Sequence, residues 1–315
     1  MQRSGATWAT IGIVVLGVVA AALAFAALQS TKGTTPTPLS SALTDPTEDA
    51  RPQKSDDDSQ PDKNVTDALP DALEPPLLMV DADLAFRGRT GTCLGGANLE
   101  RTTNGGGVWR PIDVPAAAIL DLRSAGAAVE VVGADDRCRP RVWLSADRGR
   151  TWSDPVPATD TFARLPSTTR DIITPSGVVK NPCPDRDVAP LAVEPVSVSE
   201  GVVLCFAGEV FATADGGVTW AAKTPVVGAQ AVSFEGPRLG WVLVRDSARC
   251  QAYEAQITQD GGTAWQLGGC LGAAPTTDRR VLPSVSFSTP EVGMADVAGE
   301  TYVTRDSGNT WRLAG

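Results

Sequence analysis

The residue types that most enzymes use for catalysis are scarce in this sequence. It contains no histidine, and its two tyrosines are Tyr253 and Tyr302. Histidine is the commonest general base, so the serines lack their usual activating partner. Carboxylates alone suffice for many glycosidases, which leaves unpatterned acids such as Glu130, Glu200 and Glu235 as candidates for an acid/base pair. None of these falls in a catalytic motif, so the sequence predicts no catalytic residue.

Motifs for cofactors, metals and nucleic acids are also missing. The run Gly105–Gly107 lacks the lysine of a phosphate loop. The run Asp56–Asp58 lacks the spacing of a calcium loop. No two cysteines form the C-x-x-C pair of zinc or redox sites. The net charge is -10, with no cluster of Lys and Arg. We therefore expect no cofactor, no bound metal and no nucleic-acid partner.

One eight-residue pattern accounts for the most regularly spaced residues. It consists of a hydroxyl residue, any residue, Asp or Asn, any residue, Gly, any two residues and Trp. A match is expected about once per 10⁴–10⁵ positions, so five copies constitute a repeat. The copies are Thr102, Asn104, Gly106 and Trp109; Ser145, Asp147, Gly149 and Trp152; Thr213, Asp215, Gly217 and Trp220; Thr258, Asp260, Gly262 and Trp265; and Thr304, Asp306, Gly308 and Trp311.

The chemistry of this repeat predicts a tight turn between two β-strands. The Asp side chain can accept hydrogen bonds from the backbone of the turn, and Gly supplies a positive φ. A Thr before the Trp can tie the ends of the hairpin, and the Trp packs back as an apolar anchor. Two copies have Val108 and Ala264 instead of that Thr, so we expect those turns to form but to be weaker.

The repeat resembles the Asp-box, or BNR, repeat of β-propellers. Proteins that carry it include sialidases, sortilin-type receptors and photosystem II assembly-factor-like proteins. The resemblance covers about residues 76–315 and implies an all-β propeller domain. It says little about function, because the repeat occurs on propellers with unrelated roles.

The spacing of the copies predicts how many blades the propeller has. The copies lie 43, 68, 45 and 46 residues apart, and a blade of four short strands takes about 40–50 residues. We therefore expect about five four-stranded blades, with each repeat turn joining the third and fourth strands. The long interval is interpreted as a Pro-rich inserted loop at residues 155–195. A degenerate sixth blade is the alternative.

A sialidase is the enzyme that the resemblance suggests first. That family uses a Tyr nucleophile that is paired with a Glu. It also uses an Asp as acid/base, and three Arg that hold the substrate carboxylate. Tyr253 and Tyr302 lie just before repeat turns, where an outer third strand is expected. The family's Phe-Arg-Ile-Pro motif is absent, since the nearest match is Phe86-Arg87-Gly88. A sialidase-type glycoside hydrolase is therefore kept only as the alternative function.

The six cysteines predict three disulfides, which are typical of exported proteins. In the fourth repeat unit, counting outward from a turn centred near Gly261 places residue 250 opposite residues 271–272. That register predicts a bridge between Cys250 and Cys270. The remaining pairs are then Cys183–Cys205 and Cys93–Cys138.

The N-terminus predicts a membrane anchor. Residues 6–28 carry no charge, and as a helix they would be about 35 Å long, enough to cross a bilayer. Residues 1–5 would then form a short cytoplasmic tail. A cleaved signal peptide is the alternative, although its apolar region is usually shorter. Residues 29–75 are acidic and rich in Pro, Ser and Thr, which is typical of a disordered linker.

These observations predict a single-pass cell-membrane protein with an extracytoplasmic propeller. We expect the propeller to be a non-catalytic binding or scaffolding module, in cell-envelope assembly or surface recognition. Its partners would be the membrane, through residues 6–28, and a protein or glycan at one end face of the ring. The Pro-rich segment and the loops that leave each fourth strand are the expected docking loops.

Overall fold

The computed structural model describes residues 74–126, 128–168, 170–245, 247–272 and 282–315. The predicted tail, membrane span and nearly all of the predicted linker lie outside the described residues. Within these ranges no helix is long and apolar enough to cross a membrane.

The described chain is all-β and forms six antiparallel sheets, each built from consecutive strands. Five sheets have four strands and the third has three. The first sheet contains β1 (Leu77–Met79), β2 (Ala85–Arg89), β3 (Asn98–Thr102) and β4 (Arg110–Ile112); the second, β5 (Ala118–Ala125), β6 (Ala128–Ala134), β7 (Pro140–Ser145) and β8 (Val156–Pro157); and the third, β9 (Ala163–Arg164), β10 (Asp171–Thr174) and β11 (Gly177–Lys180).

The last three sheets have four strands each and follow the same order. The fourth contains β12 (Ala192–Pro195), β13 (Gly201–Leu204), β14 (Val210–Thr213) and β15 (Ala221–Ala222); the fifth, β16 (Ala229–Phe234), β17 (Gly240–Arg245), β18 (Tyr253–Thr258) and β19 (Gln266–Leu271); and the sixth, β20 (Ser284–Phe287), β21 (Gly293–Val297), β22 (Glu300–Thr304) and β23 (Arg312–Leu313).

The first strand of each sheet faces the axis of a closed ring. Strand β1 contacts β5, β5 contacts β9, and the contacts continue through β12, β16 and β20 back to β1. The all-β propeller is therefore confirmed, and it has six blades. All four residues of the inner strand Ser284–Phe287 are buried, because neighbouring blades cover both of its faces.

The interpretation of residues 155–195 as an inserted loop is wrong. This stretch contains a degenerate blade, the third along the chain, which brings the total to six. The alternative prediction of a degenerate additional blade is therefore confirmed. The turn between β10 and β11 is a shortened version of the repeat turn. Its Thr174 is fully buried like the repeat hydroxyls and donates to the carbonyl oxygen of Gly177 at 2.8 Å. Without the Asp and the Trp, this blade could not be recognised from the pattern.

The ring has two chemically different ends. In the five four-stranded blades, neighbouring strands are antiparallel, so the turns that join first to second and third to fourth strands share one end, which we call the repeat end. In the third blade the turn between β10 and β11 lies at the repeat end, where the N–H of Ser176 bonds the carbonyl of Gly216. The loops that join second to third strands in the four-stranded blades lie at the opposite end, called the disulfide end. Cys93, Cys138, Cys205 and Cys250 all lie in or beside such loops. The chain enters the ring at the disulfide end, because β1 begins there.

The three predicted disulfides are confirmed. Cys250 is bonded to Cys270, Cys183 to Cys205 and Cys93 to Cys138. In the fifth sheet, Glu254 pairs with Cys270 and a bulge shifts the register between residues 254 and 256. Before this bulge, Gln256 already pairs with Leu267, one residue off the counted register, and the bulge adds one further residue of offset. The bridge between Cys93 and Cys138 joins the first blade to the second.

Candidate functional site

The five repeat turns share one hydrogen-bond arrangement. In each, the hydroxyl oxygen accepts the N–H of the repeat Gly at 2.7–3.0 Å. The hydroxyl donates to the Asp or Asn side chain at 2.8–2.9 Å. The same side-chain oxygen accepts the N–H of the residue before the Trp at 2.8–2.9 Å. Each turn joins the third strand of its blade to the fourth.

The Asp side chains of the turns are structural acceptors. Where a Thr precedes the Trp, its hydroxyl also donates to the second carboxylate oxygen, as Thr219 does to Asp215 at 2.6 Å. Val108 and Ala264 cannot make this bond. Hydrogen bonds from the hydroxyl and the N–H of Thr219 lower the pKa of Asp215 to about 2. A carboxylate held ionised in this way is a poor general acid near neutral pH.

The repeat tryptophans lie at the seams between blades and are half-buried, unlike the fully buried Trp143 and Trp241. Three of them donate their indole N–H to a neighbouring blade or its connection. The indole of Trp109 bonds the hydroxyl of Thr301 at 2.9 Å, that of Trp152 bonds the carbonyl of Asp113, and that of Trp265 bonds the carbonyl of Thr224. The sequence predicted that each Trp anchors its own sheet. In the structure these side chains also join adjacent sheets.

A cavity of about 530 Å³ occupies the axis of the ring and is lined by six carboxyl groups and two guanidinium groups. The carboxyl groups belong to Glu74, Asp121, Glu130, Asp160, Glu194 and Glu235, and the guanidinium groups to Arg123 and Arg164. We call this cavity the axial funnel. It is rich in carboxyl groups, and it is built from residues of all six blades and of the segment that leads into β1.

Glu74 and Arg164 close the funnel toward the disulfide end. The guanidinium of Arg164 donates to the carbonyl oxygen of Leu191 at 2.7 Å and to that of Glu74 at 3.5 Å. The Glu74 carboxylate accepts the N–H of Val232 at 3.3 Å. Burial, and then the charge of Glu194, raise the pKa of Glu74. Glu74 falls within the predicted linker, residues 29–75, and it contacts the ring through these bonds.

The funnel opens at the repeat end. Its exposed lining residues are Ser124, Asp160, Ser197, Val198 and Glu235. Ser124 and Glu235 stand where the first strands of their blades end, and residues 197–198 belong to a loop between first and second strands. The loops that leave the fourth strands lie at the other end, so the expected docking face changes. Four residues of the Pro-rich segment do line the funnel: Asp160, Thr161, Phe162 and Arg164.

The carboxyl groups inside the funnel differ in their partners. Asp121 forms an ion pair with Arg123 at 2.6 Å, and burial raises its pKa against the effect of that partner. Arg123 also donates to the hydroxyl of Thr161 and the carbonyl of Phe162. Among the described residues, the hydrogen-bond donor to Glu194 is a backbone N–H, that of Phe234 at 3.3 Å. Burial, and then the charge of Asp121, raise the pKa of Glu194 to about 8.

The described residues do not bring together a sialidase-type set. Tyr253 lies on β18 and bonds Gln230 at 3.0 Å. Tyr302 lies on β22 and bonds Glu300 at 2.7 Å, and its pKa is raised to about 12 by burial and by that neighbour. Both strands are third strands, away from the axis. The axial Arg side chains are engaged by backbone carbonyls and by Asp121.

Only some of the carboxyl groups that line the funnel were candidates from the sequence. Glu130 and Glu235 line it, but Glu200 instead bonds Ser197 in a surface loop. Glu74, Asp121 and Glu194 were missed. For Asp121 and Glu194 the signal was an acidic residue that follows apolar residues in an inner strand, in Ala118–Ala125 and Ala192–Pro195. Glu74 precedes β1 and had no such signal. No metal-binding group of three ligands occurs among the residues that the structure covers.

Comparisons with known proteins add similarities of fold. No family model matches the chain, and no curated protein matches it. A structure of YCF48 bound to D1 peptide matches with a TM-score of 0.40 and 15% identity, over 77% of this chain and 82% of that one. YCF48 from Cyanidioschyzon merolae matches with a TM-score of 0.41 and 15% identity, over 76% and 85%. The GH74 xyloglucanase from Xanthomonas campestris matches with a TM-score of 0.31 and 16% identity, over 78% and 40%. At these values the similarity carries no information on function.

Proposed function

We propose that this chain is a membrane-anchored, extracytoplasmic propeller that binds a macromolecular partner at its repeat end and performs no chemistry. The observation that carries the proposal is the axial funnel. It opens at one end, while ionic and backbone contacts engage both of its guanidinium groups and the Asp121 carboxylate. Such a site can recognise a protruding group of a partner without reacting with it.

The end from which the chain enters supports this choice of face. Residue 74 lies at the disulfide end of the ring, with its N–H bonded to the carbonyl of Leu191. The chain that leads from residues 6–28 therefore joins the ring at the disulfide end, and the funnel opens at the other end. A role in cell-envelope assembly or surface recognition fits this arrangement.

Export of the domain is supported by its three disulfides, since such bonds persist in oxidising compartments. The test is protease treatment of intact cells. Cleavage within residues 29–75 should release a fragment that contains residues 76–315. If that fragment is protected until the membrane is permeabilised, the proposed orientation is wrong.

Glycoside hydrolysis is the second candidate function, and one observation favours it. Glu194, with its raised pKa, faces the Asp121 carboxylate in a cavity that water can enter. Two carboxyl groups with different proton affinities are what acid-catalysed glycoside cleavage requires. The missing axial tyrosine argues against the sialidase-type reaction in particular.

Turnover of fluorogenic glycosides separates the two functions. The purified full-length chain should show no hydrolysis of sialosides or other glycosides above the level of the variant Glu194→Gln. Turnover by the wild type that is abolished in Glu194→Gln and kept in Glu209→Gln would establish the enzyme instead. Glu209 is a suitable control because it is a half-buried glutamate in the loop between β13 and β14, at the disulfide end.

A further inference from the structure

Like Glu130, Asp160 and Glu235, Glu194 is a carboxyl group of the funnel wall that forms no ion pair among the described residues. Its position on β12 places it in the funnel wall, and its described hydrogen bond comes from the backbone of Phe234. Among the described residues, the two nearby cations are engaged elsewhere. Arg123 pairs with Asp121, and Arg164 bonds the carbonyl of Leu191. The wall therefore presents an acceptor that an incoming donor can reach.

We propose that the axial funnel binds an arginine side chain of the partner protein, with Glu194 as its direct acceptor and Glu235 at the mouth attracting its charge. This inference rests on the proposed function and specifies the chemistry that the partner must present. Carboxyl groups outnumber guanidinium groups in the lining by six to two, so the lining is complementary to a cation once these carboxyl groups are ionised.

The geometry of the funnel favours a guanidinium over a metal ion. The cavity, at about 530 Å³, is far larger than an ion and has room for a long side chain with its flanking backbone. No set of three metal-ligating side chains converges in the described parts of the chain. A planar guanidinium can bond both oxygens of one carboxylate, which a compact ammonium cannot do. The exposed Val198 beside the mouth offers apolar contact to the aliphatic part of such a side chain.

Binding should depend on pH, because Glu194 must lose a proton before it can pair with a cation. The titratable or charged groups that face it are Glu74, Asp121, Arg123, Arg164 and Glu235. With a pKa of about 8, Glu194 is mostly protonated at pH 7 and mostly ionised at pH 9. Arginine stays charged throughout this range. The ionised fraction of Glu194 rises about tenfold from pH 7 to pH 9, because these values lie one pH unit below and one above its pKa. Affinity for the cation should therefore rise about tenfold as well.

The test is a titration of the purified full-length chain with a short probe peptide, acetyl-Gly-Arg-Gly-amide, followed by ligand-observed NMR at pH 7 and pH 9. A second peptide with citrulline in place of arginine keeps the shape and removes the charge. We expect saturable binding of the arginine peptide, about tenfold tighter at pH 9, and at least tenfold weaker binding of the citrulline peptide.

Variants locate the binding to the funnel. Glu194→Gln can still accept the Phe234 N–H, and it should lose at least tenfold in affinity together with the pH dependence. Glu209→Gln should bind as the wild type does. Equal binding of both peptides by the folded wild type, no binding at pH 9, or unchanged binding by Glu194→Gln would each overturn the arginine site.

These outcomes separate the inference from the proposed function. If the natural partner is captured at the repeat end and Glu194→Gln binds it normally, the arginine site is wrong and the binding function stands. If the chain hydrolyses a glycoside through Glu194, the binding function itself is wrong.

Discussion

Phe162 of the third blade lies directly over Gly201 of the fourth. A Cβ at Gly201 would come within 2.8 Å of the Phe162 ring. In the fifth and sixth blades the same space over the corresponding Gly is filled from within the blade, by Phe234 over Gly240 and by Phe287 over Gly293. Phe162 also meets Trp220 edge to face, with ring centroids 6.4 Å apart. The degenerate third blade thus supplies the aromatic ring that its neighbour lacks.

This contact predicts that Phe162 is essential to the stability of the ring. Phe162 is 1% exposed, so Phe162→Ala should cost about 3–5 kcal/mol in the free energy of unfolding. Phe206 is exposed at the disulfide end, and Phe206→Ala should change stability by less than about 0.5 kcal/mol. Chemical denaturation of the two variants measures both values. Equal, small losses would show that residues 155–195 do not form an integral blade.

The first and sixth blades are each built from consecutive strands, so no strand from one end of the chain completes the blade at the other. Side-chain contacts between these two blades close the ring. Arg87 pairs with Asp296 at 2.7 Å and also with Glu100, and its guanidinium lies 4.5 Å from the centre of the Trp109 ring. Asp296→Asn should cost about 1–3 kcal/mol, because a largely buried ion pair is broken while Arg87 keeps one carboxylate. The control Asp187→Asn removes an exposed, 3.9 Å pair with Arg170 and should have no measurable effect. A neutral Asp296→Asn in thermal or denaturant unfolding would contradict this account of closure.

The repeat turns predict an order of importance within each motif. In the fourth blade, Thr213→Val would leave the buried N–H of Gly217 without its acceptor. The expected cost is about 1–3 kcal/mol. Thr219→Val removes a hydroxyl bond to the carboxylate of Asp215 at the surface, so its loss should be smaller. Denaturation curves of the two variants give the ranking, and a larger loss from Thr219→Val would reverse it.

A feature of this protein could be predicted from the sequence where residues close together in the chain determine it. The repeat turns and the register around Cys250 are set by a few neighbouring residues, so the propeller and its disulfides were predictable. The third blade keeps only the Thr174-Pro-Ser-Gly remnant of the turn, too short a signal to recognise. The funnel joins Glu74, Asp121 and Glu194 from distant parts of the chain. Their meeting follows from ring closure, which no local pattern encodes.

Glu194 should make the stability of the protein depend on pH. Burial raises its folded pKa to about 8 from a usual value near 4.5, so between these values the folded chain holds a proton that the unfolded chain has released. Stability from this group therefore falls as pH rises from about 4.5 to 8. The melting temperature of Glu194→Gln should match the wild type near pH 4.5 and exceed it increasingly up to pH 8. Glu209→Gln should follow the wild type, and a constant difference between Glu194→Gln and wild type would contradict this assignment.

The central claim is that the repeat end, where the funnel opens, is the surface that meets a partner. A photo-reactive phenylalanine analogue at Val198, which is 80% exposed beside the mouth, can be compared in intact cells with the same analogue at Leu94. Leu94 is 84% exposed at the disulfide end and is the matched control. We expect one discrete cross-linked adduct from Val198, lost when Glu194→Gln is added, and none from Leu94. Adducts from Leu94 alone would contradict the account.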